Sequence, residues 1–204
     1  MRTVIIASNN AHKADEIANA LDLEEWRFLT LRQAGVDSDP AEDADTFLGN
    51  ARIKAYAAQA AARNVEGLGK VAVLADDSGL EVDALHGAPG VFSARYAGQD
   101  GDDAANNAKL LEELASTADA ERTARFVCTL VFLDEEGAET VARGTIEGRI
   151  GREPRGTEGF GYDPLFLPDA YEGARTLAEV DQQTKSAISH RGDALRALKE
   201  LLSA

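Results

Sequence analysis

Apolar and polar positions follow one another along the chain in segments that predict strands separated by helices. Residues 3–7 form a short β-branched and apolar run, typical of a buried strand, and polar residues 8–10 follow it as a turn. Within residues 13–21 the apolar side chains recur three and four positions apart, as on one face of a helix. Residues 26–31 predict a second strand, and an acidic loop follows over residues 37–45.

Three further segments predict helices. Thr46 can cap an alanine-rich helix over residues 46–63. Two aspartates place negative charge at the start of a helix over residues 102–114. Residues 181–202 predict a mostly helical C-terminal region, and its apolar stripe consists of Ala194, Leu195, Leu198 and Leu202.

Three more strands are predicted in the second half of the pattern. Residues 70–75 predict a strand that ends at Asp76-Asp77-Ser78-Gly79. Residues 125–134 are apolar at both alternating sets of positions, which indicates a central strand covered on both faces, with Cys128 as a small core residue. A turn then leads into a long strand over residues 139–150.

The order of these elements, β-α-β-α-β followed by a hairpin and a helix, predicts an α/β fold with a mixed sheet flanked by helices. No repeat, low-complexity segment or long linker interrupts the pattern. We therefore expect one domain over residues 1–204.

Composition narrows the possible partners. The chain of 204 residues has 21 Lys+Arg against 36 Asp+Glu, a net charge of −15, and a pI near 4.6. Such a chain is unsuited to wrapping DNA or RNA, although a local cluster or a metal ion can still hold a small phosphorylated ligand. One cysteine excludes an intrachain disulfide, and the N-terminal apolar run is too short for a signal peptide or a membrane span. We expect a cytoplasmic protein with no membrane association.

Three segments could hold phosphates and a cation. The turn after the first predicted strand, Ser8-Asn9-Asn10-Ala11-His12-Lys13, offers helix N-terminal amides and a lysine to an anion, although an ordinary helix start has the same appearance. Asp76 and Asp77 follow a strand, where carboxylates suit Mg²⁺. Glu42, with Asp43 and Asp45, is either a second metal ligand or helix N-terminal charge.

Two later segments could hold a flat base. Residues 156–164 form a glycine-rich loop that carries Phe160, Tyr162 and Asp163, and this combination offers an aromatic face and backbone groups. Residues 185–192 bring a lysine, a histidine and an arginine into an otherwise acidic chain. A tight turn and a solvated helix face are the alternatives. Together the five segments supply the parts of a nucleoside triphosphate site.

These segments belong to a set of six ordered motifs. Their arrangement closely resembles the inosine/xanthosine triphosphate pyrophosphatases, also called dITP/XTP pyrophosphatases, over residues 4–202. The motifs are Ser8-x-Asn10-x-x-Lys13, Thr46-Phe47-x-x-Asn50-Ala51-x-x-Lys54-Ala55, Ala75-Asp76-Asp77-Ser78-Gly79-Leu80, Gly87-Ala88-Pro89-Gly90-Val91-x-Ser93-Ala94-Arg95-Tyr96, Gly159-Phe160-Gly161-Tyr162-Asp163-Pro164 and Lys185-x-x-x-Ser189-His190-Arg191-Gly192.

The resemblance implies an elongated, two-lobed α/β fold with the active site in the cleft between the lobes, and a homodimer. It implies hydrolysis of dITP, ITP and XTP to the monophosphate and pyrophosphate with Mg²⁺, or Mn²⁺ in its place, which would keep these nucleotides out of DNA and RNA. Asp77 matches the proton acceptor and a metal ligand, and Glu42 matches the second metal carboxylate. The substrate contacts match Ser8, Asn9, Asn10, Ala11, His12, Lys13, Ser78, Phe160, Gly161, Tyr162, Asp163, Lys185, His190 and Arg191.

The chain departs from the family pattern in two places. Ala41 stands where many members have a glutamate, and Asn9 and His12 stand where glycine is common. Two alternatives to the function are a Maf-type pyrophosphatase of modified pyrimidine nucleotides and a nucleotide-binding module without turnover. The His190-Arg191 pair and the Gly159–Asp163 loop favour the purine enzyme over the first, and the presence of Lys13 and Asp77 favours it over the second.

Overall fold

A mixed sheet forms the centre of the fold. The computed structural model describes residues 2–8, Ile17 and residues 26–203, except for the side chains of residues 182, 183 and 186. Within this part of the chain, one sheet has the strand order β2-β1-β3-β4-β5-β6. Its strands are β1 (Arg2–Ile6), β2 (Trp26–Thr30), β3 (Ala72–Val82), β4 (Thr123–Leu133), β5 (Glu139–Ile150) and β6 (Phe166–Pro168). β1 runs parallel to β2 and β3, whereas β5 and β6 are antiparallel, which confirms the predicted α/β class.

Helices accompany this sheet near their predicted positions. Those in the described residues are α1 (Phe47–Ala62), α2 (Asp103–Glu113), α3 (Gln182–Ile188) and α4 (His190–Ser203). Thr46 caps α1, because its side chain accepts a hydrogen bond from Gly49 N, and Asp102 caps α2 in the same way through Ala105 N. The predicted N-terminal helix lies outside the described residues except for Ile17, which is helical and buried.

Strand β3 is longer than the sequence predicts. The predicted end after Ala75 is wrong, since β3 continues through both aspartates to Val82. A strand can carry two buried carboxylates when each is hydrogen-bonded. The hydrogen-bond and ion-pair partners of Asp76 and Asp77 come from other elements, so the local sequence pattern does not predict them.

The C-terminal region is mostly helical, as predicted, and the structure divides it into two helices. Ser189 ends α3 with an extended backbone (φ −69°, ψ 153°), and α4 begins at once with His190. The predicted apolar stripe of α4 is confirmed. Ala194, Leu195 and Leu198 are buried, and Leu202 packs against the same cluster.

The chain divides into two compact units, residues 1–77, 128–144 and 191–204 in the first, and residues 78–127 and 145–190 in the second. In the first unit, alternate residues of the central strands pack into two apolar clusters. One cluster includes Leu74, Cys128 and Leu195, and the other includes Ala75, Val131 and the alanines of α1. Cys128 is buried in this core, as predicted.

The second unit has its own apolar core, which includes Leu80, Leu110, Phe126, Tyr162 and Phe166. None of the helices in the described part of the chain is both long and apolar enough to span a bilayer.

Candidate active site

A lysine joins two carboxylates in the first unit. Lys54 Nζ donates to Glu42 Oε2 at 2.7 Å and to Asp77 Oδ1 at 2.9 Å. Lys54 lies two turns into α1, Asp77 lies in β3, and Glu42 lies in the loop before α1. We call Glu42, Lys54 and Asp77 the Lys54 cluster.

The loop that carries Glu42 is fastened to the start of α1. Asn50 is buried, and its Oδ1 accepts a hydrogen bond from Ala44 N at 3.0 Å. At Gly49 a Cβ atom would lie 2.5 Å from the Cβ of Ala44, so this glycine allows the loop to pass close to the helix. Asn50 and Lys54 are four residues apart and share one face of α1, which brings Glu42 to the lysine.

The two carboxylates keep Lys54 charged. Burial acts to lower the pKa of Lys54, but Asp77 and Glu42 together outweigh it, and the pKa lies above its ordinary value. Lys54 is therefore an ammonium ion at neutral pH. Its role was not predicted from the sequence, although Lys54 and Arg52 are the charged side chains of an alanine-rich helix.

The Lys54 cluster fits a magnesium ion in its donor chemistry. Its two carboxylate oxygens both lie within hydrogen-bonding distance of one nitrogen, so they are close enough for a small cation to contact both. Mg²⁺ is commonly bound by one or two carboxylates together with water and substrate phosphates. Among the described residues, no group of three or more His, Cys, Asp or Glu side chains forms a fuller metal site.

The neighbouring carboxylate, Asp76, belongs to a different cluster. Its Oδ2 accepts a hydrogen bond from Cys128 Sγ at 2.9 Å and lies 3.5 Å from Arg191 Nε. Successive residues of a strand face opposite sides of the sheet, so Asp76 and Asp77 contact different elements. We call Asp76, Cys128 and Arg191 the Asp76 cluster. Cys128 is thus also a hydrogen-bond donor, which the sequence did not indicate.

Ser8 follows β1 in the first unit. The register of the parallel strands pairs Ile6 with Leu74, and Ser8 comes two residues after the end of β1. The other predicted phosphate-loop residues, Asn9, Asn10, Ala11, His12 and Lys13, lie outside the described residues.

An aromatic ring, a lysine and an aspartate meet in the second unit. Lys185 Nζ donates to Asp163 Oδ2 at 2.7 Å and lies 4.6 Å from the centre of the Phe160 ring. The same Asp163 oxygen accepts from Phe160 N at 2.9 Å. We call Phe160, Asp163 and Lys185 the Phe160 cluster. Gly159 is required beside it, because its φ is +78° and a Cβ atom would lie 2.1 Å from Asp163 Oδ2.

Helix α2 holds the same loop from its other side. Asp103 Oδ2 accepts from Gly161 N at 2.7 Å, and Asn107 Nδ2 donates to Gly161 O at 2.8 Å. Tyr162 is buried, its hydroxyl donates to Ser93 O at 2.8 Å, and burial raises its pKa. A ligand contact at Tyr162 would therefore involve main-chain atoms. The sequence did not reveal Asp103 or Asn107, since both resemble ordinary polar residues at the start of a helix.

His190 lies at the break between α3 and α4. Its ring stacks on Phe126, with centroids 4.9 Å apart and planes inclined by 13°, and Phe126 packs in turn against Phe166. Ser78, the remaining predicted contact, lies in β3 directly after Asp77 and is half-buried. The break at Ser189 places His190 and Arg191 in the first turn of α4.

Comparison with known proteins gives one consistent result. The model of the Ham1 family matches residues 4–201. A dITP/XTP pyrophosphatase of Clostridium perfringens is 48% identical over 202 residues, covering 99% of this chain and 98% of the relative, and one of Exiguobacterium sibiricum is 47% identical, covering 98% and 96%. The solved structure of a HAM1 protein from Coxiella burnetii has a TM-score of 0.85 at 41% identity, covering 100% of this chain and 99% of that one.

Proposed function

The chain belongs to the Ham1 family, and from this premise we propose that it is a pyrophosphatase that hydrolyses non-standard purine nucleoside triphosphates. The products are the nucleoside monophosphate and pyrophosphate, with dITP and XTP as the substrates that the relatives' names indicate. The reaction removes these nucleotides from the pool that supplies DNA and RNA synthesis.

The observation that carries the proposal is the Lys54 cluster. Its ammonium ion contacts the two carboxylates at 2.7 and 2.9 Å. The carboxylates offer a cation site, and the ammonium ion offers a positive charge to a triphosphate. Glu42 and Asp77 would hold Mg²⁺, with Mn²⁺ as a substitute. When bound, the ion would neutralise phosphate charge and polarise the phosphorus that is attacked.

Asp77 is the proposed proton acceptor. Its Oδ1 accepts a hydrogen bond from Lys54 Nζ, which orients the carboxylate. A water molecule beside Asp77 would lose its proton to the carboxylate as it attacks the α-phosphorus, and the bond to the pyrophosphate oxygen breaks. Lys54 would then stabilise the negative charge that develops on the phosphates.

The remaining predicted contacts divide between phosphates and base. Ser8, Asn9, Asn10, Ala11, His12 and Lys13 are proposed for the triphosphate, and Ser78 for the part of the substrate beside Asp77. Lys185 is proposed to stabilise charge on the phosphates, and the nucleoside contacts are proposed to be Phe160, Gly161, Tyr162, Asp163, His190 and Arg191. The Phe160 cluster supports this, because an aromatic ring held by a lysine and a carboxylate suits a flat, polar base.

The test is pyrophosphate release with Mg²⁺, compared across ITP, XTP, GTP, dUTP and dTTP. We expect ITP and XTP to be hydrolysed well, and GTP, dUTP and dTTP poorly. Preference for the pyrimidine nucleotides would instead favour a Maf-type enzyme. Tight binding of ITP without release of pyrophosphate would favour a nucleotide-binding module.

A homodimer in the cytoplasm is also proposed. The single cysteine, buried in the core, agrees with a reducing compartment. Sedimentation equilibrium tests the dimer, with twice the chain mass of 21.7 kDa as the expected result.

A further inference from the structure

We propose that Asp76 is a positioning residue for base selection, because its buried carboxylate holds the guanidinium of Arg191. The inference rests on the proposed function, in which Arg191 contacts the base. Asp76 itself does not touch substrate in this proposal. It acts by fixing the direction in which Arg191 presents its donors.

Burial makes the loss of either partner of this ion pair costly. Asp76 is 1% exposed and Arg191 is 2% exposed, and their charged groups lie 3.5 Å apart. A buried guanidinium without a compensating carboxylate is strongly disfavoured, so removing the charge of Asp76 would force Arg191 to move or to bind water. Arginine is sensitive to such movement, since its donors form a rigid planar fork.

Cys128 fixes the carboxylate from the other side. Its Sγ donates to the same oxygen, Asp76 Oδ2, that lies nearest Arg191. Cys128 comes from β4 and Arg191 from the first turn of α4, so Asp76 connects the central strands to the start of that helix. The thiol is a weak donor beside a guanidinium, and we expect it to contribute less than the ion pair does.

Successive side chains of β3 face opposite sides of the sheet, so the two aspartates have different proposed roles. Asp77 contacts Lys54 of α1, whereas Asp76 contacts Arg191 of α4. Loss of Asp76 should therefore alter the choice of base without altering the cation requirement. Loss of Asp77 should alter turnover with every base.

The test compares kcat and KM for ITP and ATP in wild type, Asp76→Asn, Arg191→Ala and the double variant. We expect Asp76→Asn to narrow the ITP/ATP ratio of kcat/KM by about 10- to 100-fold, the range seen when a partner that orients a binding group is lost. The change should appear mainly as a raised KM for ITP. The Mg²⁺ concentration for half-maximal activity should not change.

The double variant identifies the route of the effect. When Arg191 is already alanine, adding Asp76→Asn should leave the ITP/ATP ratio unchanged, since a positioning residue has nothing left to position. Cys128→Ala is the matched control, because it removes the other donor to Asp76 Oδ2 and leaves the ion pair in place. We expect it to change the ratio by less than about twofold.

Several outcomes would overturn the inference. One is an ITP/ATP ratio of kcat/KM that Asp76→Asn leaves unchanged, and another is a pair of independent effects of Asp76→Asn and Arg191→Ala that multiply in the double variant. An altered Mg²⁺ requirement in Asp76→Asn would also overturn it, as would an effect of Cys128→Ala on the ratio as large as that of Asp76→Asn. If Asp76→Asn does not fold, as judged by its thermal unfolding, Asp76→Glu replaces it. This variant keeps the charge but displaces the carboxylate by one methylene, and the same narrowing is expected.

The two proposals fail in different ways. Wild-type protein that releases no pyrophosphate from ITP would contradict the proposed function. If the wild-type protein does release pyrophosphate from ITP, and Arg191→Ala lowers the ITP/ATP ratio of kcat/KM whereas Asp76→Asn does not, only the role of Asp76 is contradicted.

Discussion

Asp77 accepts a hydrogen bond from Lys54 Nζ at 2.9 Å, across the contact between strand β3 and helix α1. The same nitrogen donates to Glu42 at 2.7 Å, so one ammonium ion connects both carboxylates proposed to bind the metal. The ammonium ion reduces the cost of burying each carboxylate, and each carboxylate does the same for the ammonium ion. The contributions of Asp77 and Lys54 are therefore coupled, and each substitution is compared with its own control.

Asp77→Asn should abolish turnover and leave the fold largely intact. The substitution keeps the size of the side chain but removes the charge, so proton acceptance and metal binding fail together. We expect pyrophosphate release from ITP to fall by at least about 10²–10⁴, the usual contribution of general-base catalysis. Asp76→Asn is the control and should be milder. Near-normal pyrophosphate release by Asp77→Asn at saturating Mg²⁺ would contradict the assignment of Asp77 as proton acceptor. A larger loss of release in Asp76→Asn would assign that role to Asp76.

Lys54→Met should lower kcat for ITP by about 10²-fold, which is the usual cost of losing one donor that stabilises developing charge. It should also lower the Mg²⁺ concentration for half-maximal activity, since the ammonium ion no longer shares the two carboxylates with the cation. Arg52→Met is the matched control, because Arg52 lies on the same helix and pairs with Glu139 at an exposed position. We expect it to change kcat by less than about twofold. Equal effects of the two substitutions would show that Lys54 acts only through the stability of α1.

Activity should require a divalent cation. Glu42 and Asp77 place two carboxylates beside one ammonium ion, which leaves a net negative charge, and a divalent cation would offset the repulsion between this charge and a triphosphate. Titration with EDTA, followed by addition of Mg²⁺ or Mn²⁺, should abolish and then restore pyrophosphate release. Full activity in excess EDTA would contradict the proposed metal site.

Arg122 should be important for stability. It is 2% exposed, and its three guanidinium nitrogens donate to Ile150 O, Leu114 O and Gly151 O at 2.9, 2.6 and 2.6 Å. These contacts connect the end of α2 with the end of β5, and burial lowers the pKa of Arg122.

Arg122→Met keeps the aliphatic stem but removes the guanidinium donors to Ile150 O and Gly151 O, whereas Leu114 O keeps its hydrogen bond from Thr117 N. The free energy of unfolding in urea should fall by about 2–4 kcal/mol, given about 1–3 kcal/mol for each unsatisfied buried group. Arg196→Met, at an exposed position of α4, should change it by less than about 0.5 kcal/mol. A loss below about 1 kcal/mol for Arg122→Met would mean that water replaces the guanidinium.

The sequence predicts the regular elements well where their signal is local. The bounds of β5 agree with the prediction at both ends, because its turn and its alternation lie within the segment itself. Helix α1 was predicted from its cap and its alanines, and it ends one residue before the predicted position. The charged stretch in β3 was interpreted as the end of a strand, since aspartates are unfavourable there unless partners from distant segments satisfy them.

The site is less predictable, because its contacts join distant parts of the chain. Lys54 and Asp77 are 23 residues apart, and Cys128 and Asp76 are 52 apart. No periodicity shows that Lys54 connects two carboxylates or that Cys128 donates to Asp76. The break at Ser189 was missed for a related reason, since neither glycine nor proline marks it.

Arg191→Ala should lower kcat/KM for ITP far more than for ATP. Hypoxanthine and xanthine carry an oxygen acceptor at the 6-position, whereas adenine carries an amino donor there. A site whose donors face that position leaves them unmatched against adenine, and such buried mismatches discriminate by about 10⁴ in favourable cases. ATP should therefore be a very poor substrate of the wild-type protein. GTP also has a 6-oxo group, so its rejection must depend on contacts near its 2-amino group.

Because Arg191 is buried against Asp76 at the start of α4, the loss of Arg191 should lower the ITP/ATP ratio of kcat/KM while the Mg²⁺ requirement is retained. Measuring kcat/KM for both nucleotides in wild type and variant checks this. A ratio that stayed the same in Arg191→Ala would remove Arg191 from the 6-position and assign it to the phosphates or to the structure.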